Sequence, residues 1–525
     1  MTEPLMRVPD AQLEQAKMML DRARWAAAKL ARMDRAAILR VADAVANAGH
    51  AKAQHFAEWA VRETGMGVVE HKRQKNEACS KGIVDLYRNE DFVAPRIDAA
   101  KKIVELPRPA GVIFALIPVT NPVATVYFKT LLALMTRNAI ILSPHPGAKA
   151  CCAEAARVLA EAAKAAGAPD GAIQVIAEPT IPLIETLMSD ERIDLIVATG
   201  GPTVVKAAYR SGNPAFGVGP GNAPVLVDDT ANLKLAAKRI VESKSFDNAI
   251  LCTNESAVLA YTSIADRLLE AMKAERAHIC TEEETAKLRT LLFKENGFNV
   301  AMIGKDASII AREAGFKAPN ARILVTPVNL VQPEEKLVRE KLCPVLAFAR
   351  VQNINQAISA ARSMMRNTGR GHSAAIHSKN EATIMAFAAA VPALRVAVNT
   401  GCSLGASGFE TNLGPSMTIG TGFAGGSSIG DNLTPHHFVH YARIAYNKEA
   451  SEAFGRFEGL DPLNLPKAGA KPRKVYRPPV FSKYGDVRRL TGGGGGAMAD
   501  AGGGGPMTRM CWIAEALYGI DAPRV

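Results

Sequence analysis

Cys252 stands in SFDNAILCTNES, just after an apolar run and ahead of the polar Thr253, Asn254 and Glu255. A cysteine in such a place is compatible with a nucleophile whose backbone N–H faces a site, its thiolate being the attacking species. Read alone, it is equally compatible with a buried thiol. Asn121 changes the balance. It closes the apolar run GVIFALIPVTNP, with Pro118 before it and Pro122 after it. An asparagine at a strand terminus can donate its side-chain amide to a developing oxyanion. The two residues together point to covalent acyl chemistry.

A second feature is Thr199-Gly200-Gly201-Pro202, at the end of one strand-like run and the start of a helix-like one. Backbone N–H groups at such a turn can receive a phosphate or the edge of a nicotinamide ribose, or the turn can simply need glycine. No GxGxxG follows a strand in this part of the chain. No metal is expected. His436, His437 and His440 have no carboxylate or cysteine close by and read as structural. The eight cysteines, of which only Cys151 and Cys152 are close, have neither metal-ligand nor disulfide spacing.

The elements that must position these groups alternate. From Asp10 to Tyr87 the pattern is helical. Then GVIFALIPVTNP, YFKTLLALMT and NAIILSPHP read as strand, helix, strand, and the alternation continues through GAIQVIA and IDLIVATGG. That is the signature of a doubly wound parallel sheet with ligand chemistry at the carboxyl ends of its strands. A second α/β region, with ILVTPV, LAFARV, SAAIHS and RVAVNT as strands, runs from Thr262 to about Leu404. The fold class is therefore α/β with two lobes. The expected boundaries are 1–243 for a nucleotide-binding lobe, which includes part of an oligomerisation segment near 95–110, and 244–424 for a catalytic lobe. A closing and oligomerisation segment is expected over 425–450, and a basic, glycine-rich tail with a short terminal helix over 451–525.

Composition sets the bounds. With 525 residues, 48% apolar and 22% charged, the chain is ordinary globular protein, not collagen-like, disordered or a disulfide scaffold. The longest apolar run, Ala110 to Val119, is too short to span a bilayer and holds Pro118; no secretory signal is read at the start, so the expected compartment is the cytoplasm. Of the net charge of +12, Pro466 to Val525 contribute ten Lys/Arg against four Asp/Glu, or +6. Half the excess is local to the tail, and nucleic acid is not an expected partner.

From Ala11 to Asn447 the chain resembles the aldehyde dehydrogenase superfamily, in its CoA-acylating branch. The resemblance is carried, in order, by ETGMGVVEHKRQKN (from Glu63), PAGVIFALIPVTNPV (from Pro109), RNAIILSPHPGAK (from Arg137) and ATGGPTVVKAAYRSGNPAFGVGPGNAPV (from Ala198). KSFDNAILCTNES (from Lys244), REKLCPVLA (from Arg339), GHSAAIHS (from Gly371), RVAVNTGCSLG (from Arg395) and PSMTIGTGFAGGSSIGDNLTPHHF (from Pro415) complete it. It implies an aldehyde dehydrogenase-like fold and a reversible conversion of a short aldehyde, CoA and NAD to acyl-CoA and NADH. Cys252 would attack the aldehyde and carry the acyl group, and Asn121 with the Cys252 backbone N–H would form the oxyanion hole. Glu340 would hold the nicotinamide ribose, Ser143, Pro144 and His145 would lie beside the adenosine, and Thr199, Gly200, Gly201, Pro202 and Gly219 would lie along the cofactor. His372 would either assist the incoming thiol or pack.

Hydrolytic relatives carry a glutamate base in an ELGG-type loop. The matching segment here, AFGVGPGNAP, holds no acid, so the acyl group should wait for a thiol such as that of CoA. Hydrolysis to a carboxylic acid, and a non-catalytic scaffold or shell-associated protein of the same fold, are the alternatives. NAD is expected, with NADP as the other choice and Lys149 as its 2′-phosphate partner. Arg370 and Arg395 are candidates for an anionic group on the substrate, and sulfoacetaldehyde or the short aldehydes of bacterial microcompartments are the substrates the closing segments suggest. The resemblance implies a homodimer or homotetramer without the alcohol dehydrogenase domain of bifunctional members. In the tail, Met507 to Gly519 beyond a glycine linker suggest docking to a shell or partner protein, in the cytoplasm or within a microcompartment.

Overall fold

The computed structural model describes residues 10–463, except 296, 330, 333, 367, 452 and 461. The tail with its expected docking helix lies outside the described residues. Two parallel sheets organise the rest. The first has five strands in the order Ile173–Val175, Ala139–Pro144, Val112–Ile117, Leu195–Thr199, Ala215–Val218, all parallel. Its inner strands are continuous apolar runs because both faces are covered: every residue of Val112–Ile117 and Ala139–Pro144 is buried. The chain enters at Val112–Ile117, winds outward to one side, then returns to the other at Leu195–Thr199. The strand order thus reverses between the strands ending at Ile117 and Thr199, where open sheets of this kind leave a crevice.

The second sheet has seven parallel strands in the order Ala277–Ile279, Ile323–Pro327, Val345–Val351, Glu255–Tyr261, Ala223–Val227, Ser373–His377, Arg395–Val398. Alternation along a strand sends neighbours to opposite faces. Accordingly Val225, Val227, Val258 and Ala260 pack in one apolar cluster, and Leu226, Ala257 and Leu259 in another. Because this sheet begins at Ala223, the passage from one sheet to the other falls between Val218 and Ala223, ahead of the boundary expected at 243. The physical reason is that the helix Leu233–Ser245 is the crossover joining two neighbouring parallel strands of the second sheet, so it cannot be divided from the strand before it.

The expected segments near 95–110 and 425–450 meet in a third, antiparallel sheet, where Ile103–Pro109 lies between Arg96–Asp98 and Val439–Ala445. No helix among the described residues is long and apolar enough to cross a membrane.

Candidate active site

Asn121 lies just beyond the strand Val112–Ile117, at the crevice. It is the N-cap residue of the helix Pro122–Met135, whose first position is a proline preset for helical φ. Its side chain makes no cap hydrogen bond; instead Oδ1 accepts from Lys75 Nζ, while Nδ2 donates to Thr120 Oγ1 at 3.2 Å. The Thr199–Pro202 turn leaves the neighbouring strand and leads into the helix Pro202–Arg210. Lys129 ties the two strands together from beneath, donating to the carbonyls of Leu116 and Val197 at 2.8 and 3.0 Å. With no carboxylate beside it among the described residues, burial holds this amine well below its ordinary pKa.

Cys252 is approached through a left-handed turn. Asp247, Asn248 and Ala249 have φ of 47°, 53° and 64°, a conformation that costs a non-glycine residue about 1–2 kcal/mol each. Contacts with the helix Val69–Glu77 hold the turn in place. Lys72 Nζ donates to Asp247 Oδ2 at 3.2 Å and to Thr120 O at 3.0 Å, Lys75 Nζ donates to the same Oδ2, and Val68 N–H donates to Oδ1 at 2.6 Å. The Asp247 N–H donates to His71 Nδ1 at 2.9 Å. Lys72, Lys75 and Asp247 are all buried. Burial alone would raise the Asp247 pKa, but the two lysines hold it below the usual carboxylate range. Burial brings Lys75 down to about 8. Gly67 has to be glycine: its φ is +83° and a Cβ there would lie 2.2 Å from Asp247 Oδ1.

After Cys252 the chain is bolted by hydrogen bonds, among them those of the buried Lys244 Nζ to Asn254 Oδ1 at 2.6 Å and to Glu255 O at 2.7 Å. Thr253 Oγ1 donates to Ser403 O at 2.8 Å, and Asn254 Nδ2 to Ser403 Oγ at 2.9 Å and Ser243 O at 3.1 Å. Glu255 Oε1 accepts the Cys402 N–H at 2.7 Å. The Cys252 thiol is half-buried and pushed up to about 12, chiefly by burial and then by Glu340, with Arg395 opposing. The resting residue is a neutral thiol at pH 7. Gly221, which sequence reasoning passed over, presses against it: a Cβ there would lie 1.8 Å from Cys252 O and 3.4 Å from Glu340 Oε1. The Gly221 N–H donates to that oxygen at 3.0 Å. Glu340 is itself pushed up to about 7 by burial, against the pull of the Gly221 N–H, Lys244 and Lys341.

The remaining expected residues fall as follows. His372 is fully buried, its Nδ1 lies 3.0 Å from Ser373 Oγ, and its Nε2 has no partner among the described residues. Burial and Arg395 push it down to about 3, so it is neutral. Arg395 is not available to an anionic substrate. It is buried and donates to the carbonyls of Gly371, His372, Gly420 and Gly430 and to Asn432 Oδ1. Five acceptors saturate its guanidinium, which is why the expected role fails. Arg370 is exposed. Ser143, the last residue but one of its strand, has a buried Oγ with no partner among the described residues, and is followed by Pro144 and by His145, whose Nδ1 accepts from Gly147 N–H at 3.0 Å. Gly200 meets only Val204, and Gly201 and Gly219 have open space where a Cβ would stand. Lys149 is paired with Glu178 at 2.5 Å. Of the three histidines, His436 lies 2.6 Å from Glu90 and His437 accepts from Thr434 N–H at 3.1 Å.

Residues 1–414 match the aldehyde dehydrogenase family. The chain belongs to that family. It is 39% identical over 402 residues to the aldehyde-alcohol dehydrogenase of Clostridium acetobutylicum; the match covers 75% of this chain but only 46% of that protein, so the chain spans about half the length of the curated relative. It is 34% identical to the succinate-semialdehyde dehydrogenase (acetylating) of Clostridium kluyveri, over 83% of this chain and 96% of the relative. The crystal structure of an acetylating aldehyde dehydrogenase from Geobacillus thermoglucosidasius superposes with a TM-score of 0.83 at 36% identity, covering 86% of this chain and all of that one. The aldehyde dehydrogenase-like fold expected from the sequence is thereby shown, and acylating enzymes stand among its relatives.

Proposed function

We propose that the chain is a CoA-acylating aldehyde dehydrogenase that converts a short aldehyde, CoA and NAD to acyl-CoA and NADH, reversibly, with Cys252 as the carrier of the acyl group. In this reading the Cys252 thiol, which is partly exposed, gives its proton to solvent and its sulfur adds to the aldehyde carbonyl. The carbonyl oxygen, now an oxyanion, is received by the Asn121 amide and the Cys252 backbone N–H. When bound, NAD accepts the hydride that turns the resulting thiohemiacetal into a thioester. The thiol of CoA then attacks the thioester carbon, the bond to Cys252 breaks, and the cysteine sulfur is reprotonated. His372, whose Nε2 has no partner among the described residues, is the candidate to take the incoming thiol's proton only where the approach of CoA relieves the burial that holds its pKa at about 3.

The observation that carries the reading is the loop 219–222. It follows the strand Ala215–Val218, lies against Cys252 through Gly221, and contains no carboxylate that could activate water. Glu340 is the acid close by, and its Oε1 is already engaged by the Gly221 N–H. The names of the acetylating relatives support the same conclusion.

A nicotinamide cofactor fits the crevice where the strand order reverses. The partnerless buried hydroxyl of Ser143, the helix opening at Pro202 and the unobstructed Gly200, Gly201 and Gly219 would line it, with Glu340 at the ribose. The Glu178 carboxylate on Lys149 would repel a 2′-phosphate, which favours NAD over NADP. We assign residues 1–218 mainly to cofactor binding and 223–424 mainly to catalysis. The sheet of Arg96–Asp98, Ile103–Pro109 and Val439–Ala445 is assigned to homo-oligomerisation, since its outer strand Val439–Ala445 is unpaired on one edge among the described residues.

The test is NADH formation from a panel of short aldehydes with and without CoA, with the acyl product identified. Turnover that requires CoA and yields acyl-CoA is expected, and the Cys252→Ala variant should have none. Equal turnover without CoA would mean that water resolves the thioester.

A further inference from the structure

Lys75 takes no part in the chemistry assigned above, yet it is buried between two groups on which that chemistry depends. Its Nζ donates to Asn121 Oδ1 and to Asp247 Oδ2. An ammonium has three N–H donors and no acceptor. The oxygen of the Asn121 amide must therefore face Lys75, and the NH2 must face away. An asparagine at an N-cap normally turns its oxygen onto the first backbone N–H groups of its helix. Here that bond is absent and Lys75 holds the oxygen instead. Of the two N–H groups on Nδ2, one reaches Thr120 Oγ1 at 3.2 Å, and the other has no acceptor among the described residues. We infer that Lys75 is a positioning residue, which fixes the Asn121 amide with its donor turned toward the substrate oxyanion and, through Asp247, locks that amide to the turn that carries Cys252.

The second half of the inference rests on the shared carboxylate. Asp247 Oδ2 receives both Lys72 and Lys75, and Lys72 also holds the carbonyl of Thr120, the residue before Asn121. The segment 120–121 and the left-handed turn at 247–249 are thus fastened to one helix face by residues three apart. Packing does not require this arrangement, because an apolar side chain of lysine's length would fill the space without burying a charge. The N–H donors of Lys75 are what set the orientation of the amide.

The inference rests on the acylating reading, and the experiment separates the two. Enzyme is mixed rapidly with aldehyde and NAD in the absence of CoA, and the NADH burst reports acyl-enzyme formation before any second nucleophile acts. Asn121→Ala should slow the burst by about 10²–10³-fold, the usual consequence of losing one oxyanion donor. Lys75→Met should slow it by about 10–100-fold, as expected for a misplaced rather than a missing group. Adding Lys75→Met to Asn121→Ala should then cost no more than about twofold, because a positioning residue has nothing left to position. Losses that multiply in the double variant, or a Lys75→Met burst as fast as that of the unsubstituted enzyme, would overturn the inference. Should Lys75→Met not fold, Lys75→Gln takes its place: its amide N–H can still donate to Asn121 Oδ1, so it should lose less in the single variant and again add no more than about twofold to Asn121→Ala. No burst in the unsubstituted enzyme would instead overturn the acylation reading itself.

Discussion

Cys252 is held from its two sides by different physics. On the amino side, the strained turn of Asp247, Asn248 and Ala249 is pinned by a buried carboxylate shared between two lysines. On the carboxyl side, Thr253 and Asn254 are fixed by hydrogen bonds to Ser403 and Ser243, with the buried Lys244 donating to Asn254 Oδ1. The amino side stores strain and pairs its two lysines with a carboxylate; on the carboxyl side the buried Lys244 donates to neutral oxygens, an amide and a backbone carbonyl, and the remaining bonds each carry modest energy. A nucleophile between them has a backbone set by position, while its thiol remains free to react.

That contrast can be broken most forcefully at Asp247. Asp247→Asn keeps the shape but leaves Lys72 and Lys75 buried without a counter-charge, and removing one partner of such a set costs about 3–5 kcal/mol. Denaturant unfolding should show a loss of that size. Acid should do the same to the unsubstituted protein: the Asp247 pKa is lowered in the folded state, so its contribution is present above the unfolded carboxylate pKa and is lost as the pH falls toward the folded one. If Asp247→Asn were as stable as the parent, the amino side would not be held ionically. Ser403→Ala, on the carboxyl side, removes one acceptor of the Asn254 amide and the donor to Ser243 O and should cost about 1 kcal/mol. A loss equal to that of Asp247→Asn would erase the distinction between the two sides.

The smallest effect concerns the thiol itself. With Cys252 pushed up to about 12, alkylation by iodoacetamide should accelerate steadily from pH 7 to 10 without levelling off. Glu340→Gln removes the negative charge that helps raise the thiol, so that variant should be alkylated a few-fold faster at pH 8. A plateau near neutrality would show that the thiolate is stabilised in the resting enzyme.

Much of this architecture is legible in the sequence because the buried parallel strands are continuous apolar runs, and the candidate pair Cys252 and Asn121 is legible because residue type and strand-end position already suggest acyl chemistry. The cluster around Asp247 is not. In HKRQKN the lysines look like solvated charge on a helix, and their partner lies 175 and 172 positions away. The three-residue spacing of Lys72 and Lys75 was the available signal, and only the fold shows that this face is buried. Arg395 misled for the same reason: a cation at a strand start reads as ligand-binding until its backbone acceptors are seen. Which sheet the helix Leu233–Ser245 serves is not legible either, because a crossover helix looks the same in both.

The antiparallel sheet completed by Val439–Ala445 also bears on how the molecule is made. Arg443 in its last strand pairs with Glu105, 338 positions earlier, and the register runs the full length from Val439–Pro109 to Ala445–Ile103. On the ribosome, Ile103–Pro109 emerges early and must wait, one edge open, for nearly everything described here to be synthesised before its neighbour arrives. Contacts of such long sequence separation close last and slowly, and an open strand edge is a site for wrong pairing in the meantime. Assembly of this sheet is therefore the step of folding most exposed to aggregation, and crowded synthesis should tax it before it taxes either parallel sheet.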